Sequence, residues 1–523
     1  MLVFLVKKVK EKPMETALAI LLVIQVFLIA LSNFTLIDQN LDHDSAKLLR
    51  HIITMWKEKT IAIPQWSYVS TLELDCTAFF ALPLYGLTKN IYFSCALSNT
   101  ILTLILIRVI FLLFEGSELL YPLMCANLIC IPYRVGALDY YNMLFFSGSQ
   151  YIVKVLIPLL LVGILLLSER KKNLAKDGRF WRFAVLFLIL LAVSSSSSGV
   201  YVTACGVAPV LVIYILYKFL NWKRVPASVL VLIGLSILCI LGGMRLNKMI
   251  MGETQVESMM FCSIHMMLYN TTSCFFGLFE LIGGTTTAFD FVIFSVDGII
   301  MLGKCCLMIA FLICGACAFV KCVKKKGDLR LMLLLSIFIW NYFILNVTYT
   351  RYGATTFEYR YHLIGMLPLM CVTVVIAIQW FRSLSDIQQK WLFWCGFTAF
   401  FVFQSLEYRE IFIRGEQNSS IKELAAYVGN TELETVYVYY PSPAPDICRL
   451  LDVDRIYLEV NDEGITPRVL DYYSKYINAP VSTENAIVAV DAAIGKGESF
   501  ELGNHLMVLF DSIDNWDFYY FAY

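Results

Sequence analysis

The chain has 523 residues, of which 59% are hydrophobic and only 16% charged, a balance that excludes an ordinary soluble domain and points to a polytopic membrane protein. Lysine plus arginine and aspartate plus glutamate are equal at 41 each. No basic run is interleaved with aromatics, so nothing in the sequence reads nucleic acid.

Residues 1–12 are basic through Lys7, Lys8, Lys10 and Lys12, and Pro13 precedes a first apolar span, Met14 to Leu36. A signal peptide has a shorter apolar core and a small-residue cleavage site, and many spans follow here, so this one reads as a retained transmembrane helix.

Residues 37–90 form a first long loop. Asp42 and Asp44 are separated by His43, so in an extended loop both carboxylates point the same way. A helical pattern follows from Ala46 to Trp56, capped by Asp44 or Ser45. Beyond Pro64, the stretch Gln65-Trp66-Ser67-Tyr68 suits a water–lipid interface, and Leu72-Glu73-Leu74-Asp75 leads into an apolar piece, Cys76 to Leu87, broken by Pro83 and Gly86. That piece is too short to span and reads as re-entrant or interfacial.

Further spans are expected at 91–114, 119–133, 151–168, 180–198, 200–219, 226–243, 299–320, 329–347, 362–381 and 390–406, which makes about eleven transmembrane helices. Three basic loops orient them: Arg170-Lys171-Lys172 with Lys176, Arg179 and Arg182; Lys218 with Lys223-Arg224; and Lys321 with Lys324-Lys325-Lys326 and Arg330. Threading the spans puts all three on the side of the basic N-terminus, which the positive-inside rule makes cytoplasmic. The expectation is a multi-pass plasma-membrane protein with a cytoplasmic N-terminus. The first loop, the loops 134–150, 244–298 and 348–361 and the tail then share the outer face.

The tail, 407–523, changes character. Asn418-Ser419-Ser420 caps a helix ended by Gly429. Strand-like runs follow at Thr435–Tyr440, Arg455–Val460, Ala486–Val490 and His505–Phe510, with a helix from Pro467 to Ile477 between them. This is a small extracytoplasmic α/β domain beside a transmembrane domain, 1–406. Asp446, Asp452 and Asp454 read as surface charge.

Three sets of residues carry chemistry. Asp42 and Asp44 are either solvated charges with a helix cap or a carboxylate pair able to take a proton from an attacking hydroxyl. Asp139, in Ala137-Leu138-Asp139-Tyr140-Tyr141-Asn142, is either an interfacial helix start or a third carboxylate for the acceptor or a divalent cation. Arg351 and Arg360, with Tyr359 and Tyr361 beside the second, offer forked donors and hydroxyls to a phosphate, against a plainer role as snorkelling arginines in an aromatic belt. Ser194–Ser198 reads as a flexible turn, and His265 stays unassigned. Cys314 and Cys317 form a C-x-x-C inside a span with no second pair, where cysteine behaves as a small hydrophobe.

Assembled, these features resemble the membrane-embedded GT-C glycosyltransferases, which take polyprenyl-phosphate sugars as donors. The resemblance rests on a basic N-terminus and one span, then an acidic first outer loop (Asp42, Asp44) before an amphipathic helix. It includes an outer Asp139 before the fourth span, the Arg/Tyr-rich mouth leading into Arg360-Tyr361-His362-Leu363-Ile364-Gly365-Met366-Leu367-Pro368-Leu369, and the α/β tail. It implies a GT-C-like fold and a hexosyltransferase-type activity that moves a sugar from a polyprenyl-phosphate donor to a glycan, lipid or protein acceptor on the outer face. By the same resemblance Asp42 or Asp44 would be the catalytic base, Asp139 would serve the acceptor or a metal, and Arg351 or Arg360 would hold the donor phosphate. Many members carry an adjacent acidic pair or a lone Asp in this loop. Here His43 intervenes, so the base stays open between the two. No W-W-D-type signature of oligosaccharyltransferases is present. The alternatives are a lipid-linked glycan polymerase or ligase, resting on Arg351, Arg360 and His265, and a transporter or flippase, whose ionisable groups lie near the midplane and whose halves repeat.

Overall fold

A computed structural model gives the fold. It describes residues 12–63, 66, 68, 71–134, 139–171, 174–251, 260–285, 292–324, 328–349, 359–413, 415–439, 444–453, 455–462 and 482–522. In chain order the helices of the first part are α1 (Pro13–Leu36), α2 (His43–Glu58), α3 (Thr77–Thr88), α4 (Ile91–Leu113), α5 (Leu120–Ile129), α6 (Asp139–Leu144), α7 (Ile152–Arg170) and α8 (Gly178–Ser198). There follow α9 (Ala208–Leu220), α10 (Ala227–Met251), α11 (Ile264–Leu281), α12 (Val296–Val323), α13 (Leu329–Val347), α14 (Leu363–Phe381) and α15 (Asp386–Ile413).

Nine helices among the described residues are long and apolar enough to cross a membrane: α1, α4, α7, α8, α9 with the turn before it, α10, α12, α13, and α14 with the turn before it. The protein is a multi-pass membrane protein. The other two expected spans fall short of that standard. The ten residues of α5 rise only about 15 Å, half a hydrocarbon core. The 28-residue α15 carries Asp386, Lys390, Glu407, Arg409 and Glu410. The expected count of about eleven is thus not confirmed; among the described residues nine helices qualify by length and composition.

Local chemistry sets the helix starts. Asp177 accepts from the Arg179 backbone N–H at 2.9 Å, Asp328 from Leu331 at 2.8 Å and Ser295 from Gly298 at 3.1 Å, each satisfying a donor the helix itself cannot.

The chain divides into two compact units. The first comprises Met1–Asn33, Ser70–Phe79 and Leu97–Ile413. Within it α7 and α14 are buried along almost their whole length. The helices α8 and α10 meet closely at Gly243, where a Cβ would stand 2.6 Å from the Ser195 Cβ. Side-chain amides tie the bundle where lipid offers no partner. Gln25 donates to the Asn127 carbonyl at 3.0 Å and to Gln404 at 2.6 Å, and Asn99 donates to Asn33 at 2.7 Å and to the Ser147 carbonyl at 2.8 Å. At the end of the bundle carrying the basic loops, Arg179 grips Glu115 through two bonds of 3.1 and 2.8 Å, Lys218 lies 2.5 Å from Glu169, and Arg382 pairs with Glu118.

The second unit comprises Phe34–Val69, Phe80–Ala96 and Arg414–Tyr523. Its tail holds α16 (Ser419–Gly429), β1 (Thr435–Tyr439), α17 (Ala444–Leu451), β2 (Ile456–Val460), β3 (Ala486–Asp491), β4 (Ser499–Leu502), β5 (His505–Ile513) and β6 (Trp516–Ala522). The four strands expected from sequence are all present. The strands β4 and β6 and the helix α17 are additional, and the expected helix Pro467–Ile477 lies outside the described residues. The sheet order is β2-β1-β3-β6-β5-β4, parallel from β2 to β3 and antiparallel beyond. Period-two alternation sends Tyr437, Tyr439, Val488, Val490, Tyr519 and Phe521 into one core face. On the other face Tyr427 of α16 stacks on Phe518 with ring centroids 4.2 Å apart, and Trp516 Nε1 donates to the Ser420 carbonyl at 2.9 Å.

Candidate active site

In the second unit, α2 begins two residues earlier than the expected cap Asp44 allows, and three earlier than Ser45 does. Asp42 is the N-cap, and its carboxylate accepts from the Ser45 backbone N–H at 2.7 Å. Asp42 is exposed, and Asp44, in the first turn, is half-buried. Between them, the His43 ring bonds through Nδ1 to Asp446 of α17. Asp446 is not the surface charge expected from sequence: it is 8% exposed, and Arg449 Nη1 lies 3.1 Å from its second oxygen. Arg449 is fixed in turn by donating from Nε to the Tyr457 carbonyl at 2.6 Å. The Asp446 hydrogen bond raises the His43 pKa above its ordinary 6.5, against the pull of burial. Burial pushes the Asp446 carboxyl up, but His43 and Arg449 outweigh it and hold it below the usual carboxylate range. Lys47 and Arg50 follow His43 at helical spacing on α2 and are buried.

One turn further along α2, His51 is fully buried against Trp66 and Tyr68, with ring centroids 4.6 and 5.7 Å away. Burial pushes its pKa down to about 3, so it is neutral and serves as a core aromatic.

In the first unit, Tyr359–His362 form a short 3-10 turn at the head of α14, where Tyr359, Arg360 and Tyr361 are half-buried. The turn is held from several sides. Tyr201 Oη and Asn341 Nδ2 each donate to the Tyr361 carbonyl at 3.4 Å, His362 Nε2 lies 2.9 Å from the Cys274 carbonyl, and the His362 ring stacks on Tyr342. The backbone carrying Arg360 is therefore fixed. Arg351 lies outside the described residues. Asp139 starts α6, but its side chain lies outside them too. Among the described residues, no group of three His, Cys, Asp or Glu side chains is placed to hold a metal ion.

The same unit holds a charged cluster around Asp75. This carboxylate is fully buried; Ser194 and Ser198 donate to its Oδ2 at 2.9 and 2.7 Å, and Lys154 Nζ lies 3.4 Å from Oδ1. Ser194–Ser198 is thus no flexible turn but the last turn of α8. Its Ser197 accepts from the Leu72 and Leu74 backbones, and Asn247 of α10 donates at 2.8 Å to the Ser196 and Ser197 carbonyls.

No protein-family model and no curated protein matches the sequence. The solved structures that match it include two that do so across nearly its whole length. The crystal structure of ArnT from Cupriavidus metallidurans bound to undecaprenyl phosphate is 9% identical, covers 96% of this chain and 97% of its own, and superposes with a TM-score of 0.55. The apo structure of the same protein is also 9% identical, covers 95% and 97%, and gives 0.56. The chain has the ArnT fold. That is the architecture the GT-C resemblance implied, with its sheet-bearing tail.

Within this ArnT-like fold the second unit joins His43 to Asp446, 403 residues away. The bundle separately joins Asp75 to Lys154 and the α8 serines. Sequence reasoning missed both sets. The signal for Asp75 was an acid just before an apolar piece, and for Lys154 a lone cation at the head of a span, where a charge needs a partner. His265 is exposed near the start of α11.

Proposed function

We propose that the chain is a membrane glycosyltransferase that moves a sugar from a polyprenyl-phosphate donor to a hydroxyl acceptor on the extracytoplasmic face. The observation that carries this reading is the ArnT-like fold over 96% of the chain, in a protein solved with undecaprenyl phosphate bound. The acidic first loop and the basic loop asymmetry add support. In the step we propose, a first-loop carboxylate, Asp42 or Asp44, takes the proton of the acceptor hydroxyl. The acceptor oxygen forms a bond to the anomeric carbon, and the bond from that carbon to the phosphate oxygen breaks, its electron pair leaving with the lipid phosphate. Arg360, with Tyr359 and Tyr361 beside it, offers donors to that departing charge, and Arg351 is the second candidate for it. Asp139 is retained as the candidate third carboxylate for acceptor or divalent cation.

The test is release or transfer of label from radiolabelled polyprenyl-phosphate sugars by the purified protein in lipid. Wild-type turnover that Asp42→Asn/Asp44→Asn abolishes supports the reading. Turnover unchanged in that double variant moves the base elsewhere and favours the polymerase or ligase alternative. One observation favours transport: an ion pair, Lys304–Glu407, buried within helices α12 and α15. No turnover with any donor, together with lipid translocation in reconstituted vesicles, would favour that second reading.

A further inference from the structure

We propose that Asp446 is a positioning residue for this transferase chemistry, acting through His43 to make that ring the relay that carries the acceptor's proton away from the first-loop carboxylates. The proposal rests on the transferase reading above and deepens it.

The geometry is that of an oriented imidazole. A carboxylate can only accept, so the His43 Nδ1 facing Asp446 is the nitrogen that bears hydrogen. In the neutral ring this tautomer leaves Nε2 as the basic nitrogen, and a buried carboxylate behind the ring raises its basicity. Asp446 is itself over-determined: Arg449 lies on its other oxygen and is anchored by the Tyr457 carbonyl. Buried carboxylates are costly unless so paired, and Asp446 sits where its charge serves His43. Among the described residues, the charged groups that act on the ring are Asp446 of α17 and Asp44 and Lys47 of α2, while Arg449 of α17 and Arg50 of α2 act on Asp446. His43 itself is the residue between the two candidate bases, and 38% of its side chain remains exposed to water.

The relay closes the proton balance of the transfer step. The proton leaving the acceptor hydroxyl passes to the first-loop carboxylate, from there to neutral His43, and from the imidazolium to water. The carboxylate is then ionised again for the next turnover. No bond other than those to this proton changes in the relay.

Two measurements on the full-length protein in nanodiscs test it. The first needs no activity: ring 15N resonances of the five histidines, with His43 assigned by its loss in His43→Gln. We expect His43 to titrate above 6.5 in the wild type and at lower pH in Asp446→Asn. The second is the pH–rate profile of label transfer. With neutral His43 required, Asp446→Asn should shift the acid limb to lower pH and reduce kcat by roughly tenfold or more, with the donor KM unchanged. Asp446→Glu should restore part of both, and His43→Gln should remove the limb.

A merely structural Asp446 would not move the limb. An unmoved His43 titration, or an unmoved acid limb with wild-type turnover intact, overturns this proposal alone. A wild type that turns over no donor overturns the transferase reading and the relay with it. Should Asp446→Asn fail to fold, His43→Gln decides, because it leaves the Asp446–Arg449 pair in place. Persistence of the acid limb in that variant overturns the relay.

Discussion

Lys304 Nζ lies 2.8 Å from Glu407 Oε1, and neither side chain reaches the solvent-accessible surface. The Arg134 backbone N–H donates to the other oxygen of Glu407. Lys304 stands eight residues into the 28-residue α12, about 12 Å along its axis, and its side chain is shut off from solvent by the protein. Breaking such a pair strands a buried charge, which costs about 3–5 kcal/mol. Lys304→Met and Glu407→Gln should therefore each lower the thermal unfolding midpoint in nanodiscs strongly. The double variant should lose much less than the sum of the two. Simple additivity in this cycle would show that the pair is not coupled.

Asp75 predicts a second, smaller cycle. Its Oδ2 receives two serine hydroxyls and its Oδ1 faces Lys154. A hydrogen bond to a charged group contributes about 1.5–3 kcal/mol. Ser194→Ala and Ser198→Ala should each cost stability on that scale in wild type. In an Asp75→Asn background each should cost less, because the acceptor is then neutral. Equal losses in both backgrounds would mean that the serines act only through helix packing.

The spans were legible because apolar length is a one-dimensional property, and β1, β2, β3 and β5 because alternation has period two. The strands β4 and β6 escaped detection. Ser499–Leu502 is short and mixed in character, and Trp516–Ala522 is aromatic on both faces. The ion pairs were not legible in the same way. His43–Asp446, Asp75–Lys154 and Lys304–Glu407 each join residues from separate elements, and no local pattern marks a partner that far off. Asp446 looked like surface charge because it stands among loop acids. Its burial follows from α17 packing on α2, a contact made only in three dimensions.

Two histidines of α2 should give stability opposite slopes with pH. The folded-state pKa of His43 is raised, so its contribution is fully present below the unfolded value of 6.5 and is lost as pH rises through the folded value. His51 is a base pushed down to about 3, so the unfolded chain takes up its proton first, and stability falls as pH drops from 6.5 towards 3. Each slope is at most about 1.4 kcal/mol per pH unit. Chemical unfolding followed by tryptophan fluorescence across pH 4–9 should show His51→Phe flattening the acid side and His43→Gln flattening the alkaline side. A His51→Phe protein with an unchanged acid slope would mean that some other group takes up that proton.

Asp42 has two separable duties, and the choice of substitution separates them. As N-cap it accepts from the Ser45 backbone N–H, a task asparagine performs about as well, whereas alanine costs about 1 kcal/mol. Asp42→Asn should therefore keep the wild-type unfolding midpoint, and Asp42→Ala should lower it. A candidate base loses its function in either variant. If Asp42 is the base, both variants lose about a hundredfold or more in transfer rate, although only one is destabilised. If Asp42 only caps the helix, Asp42→Asn keeps full activity, and Asp44→Asn carries the loss instead. Asp44 lies half-buried in the first turn of α2. Activity retained in Asp42→Asn and Asp44→Asn separately, but lost when they are combined, would mean that either carboxylate can take the proton, with His43 between them serving both.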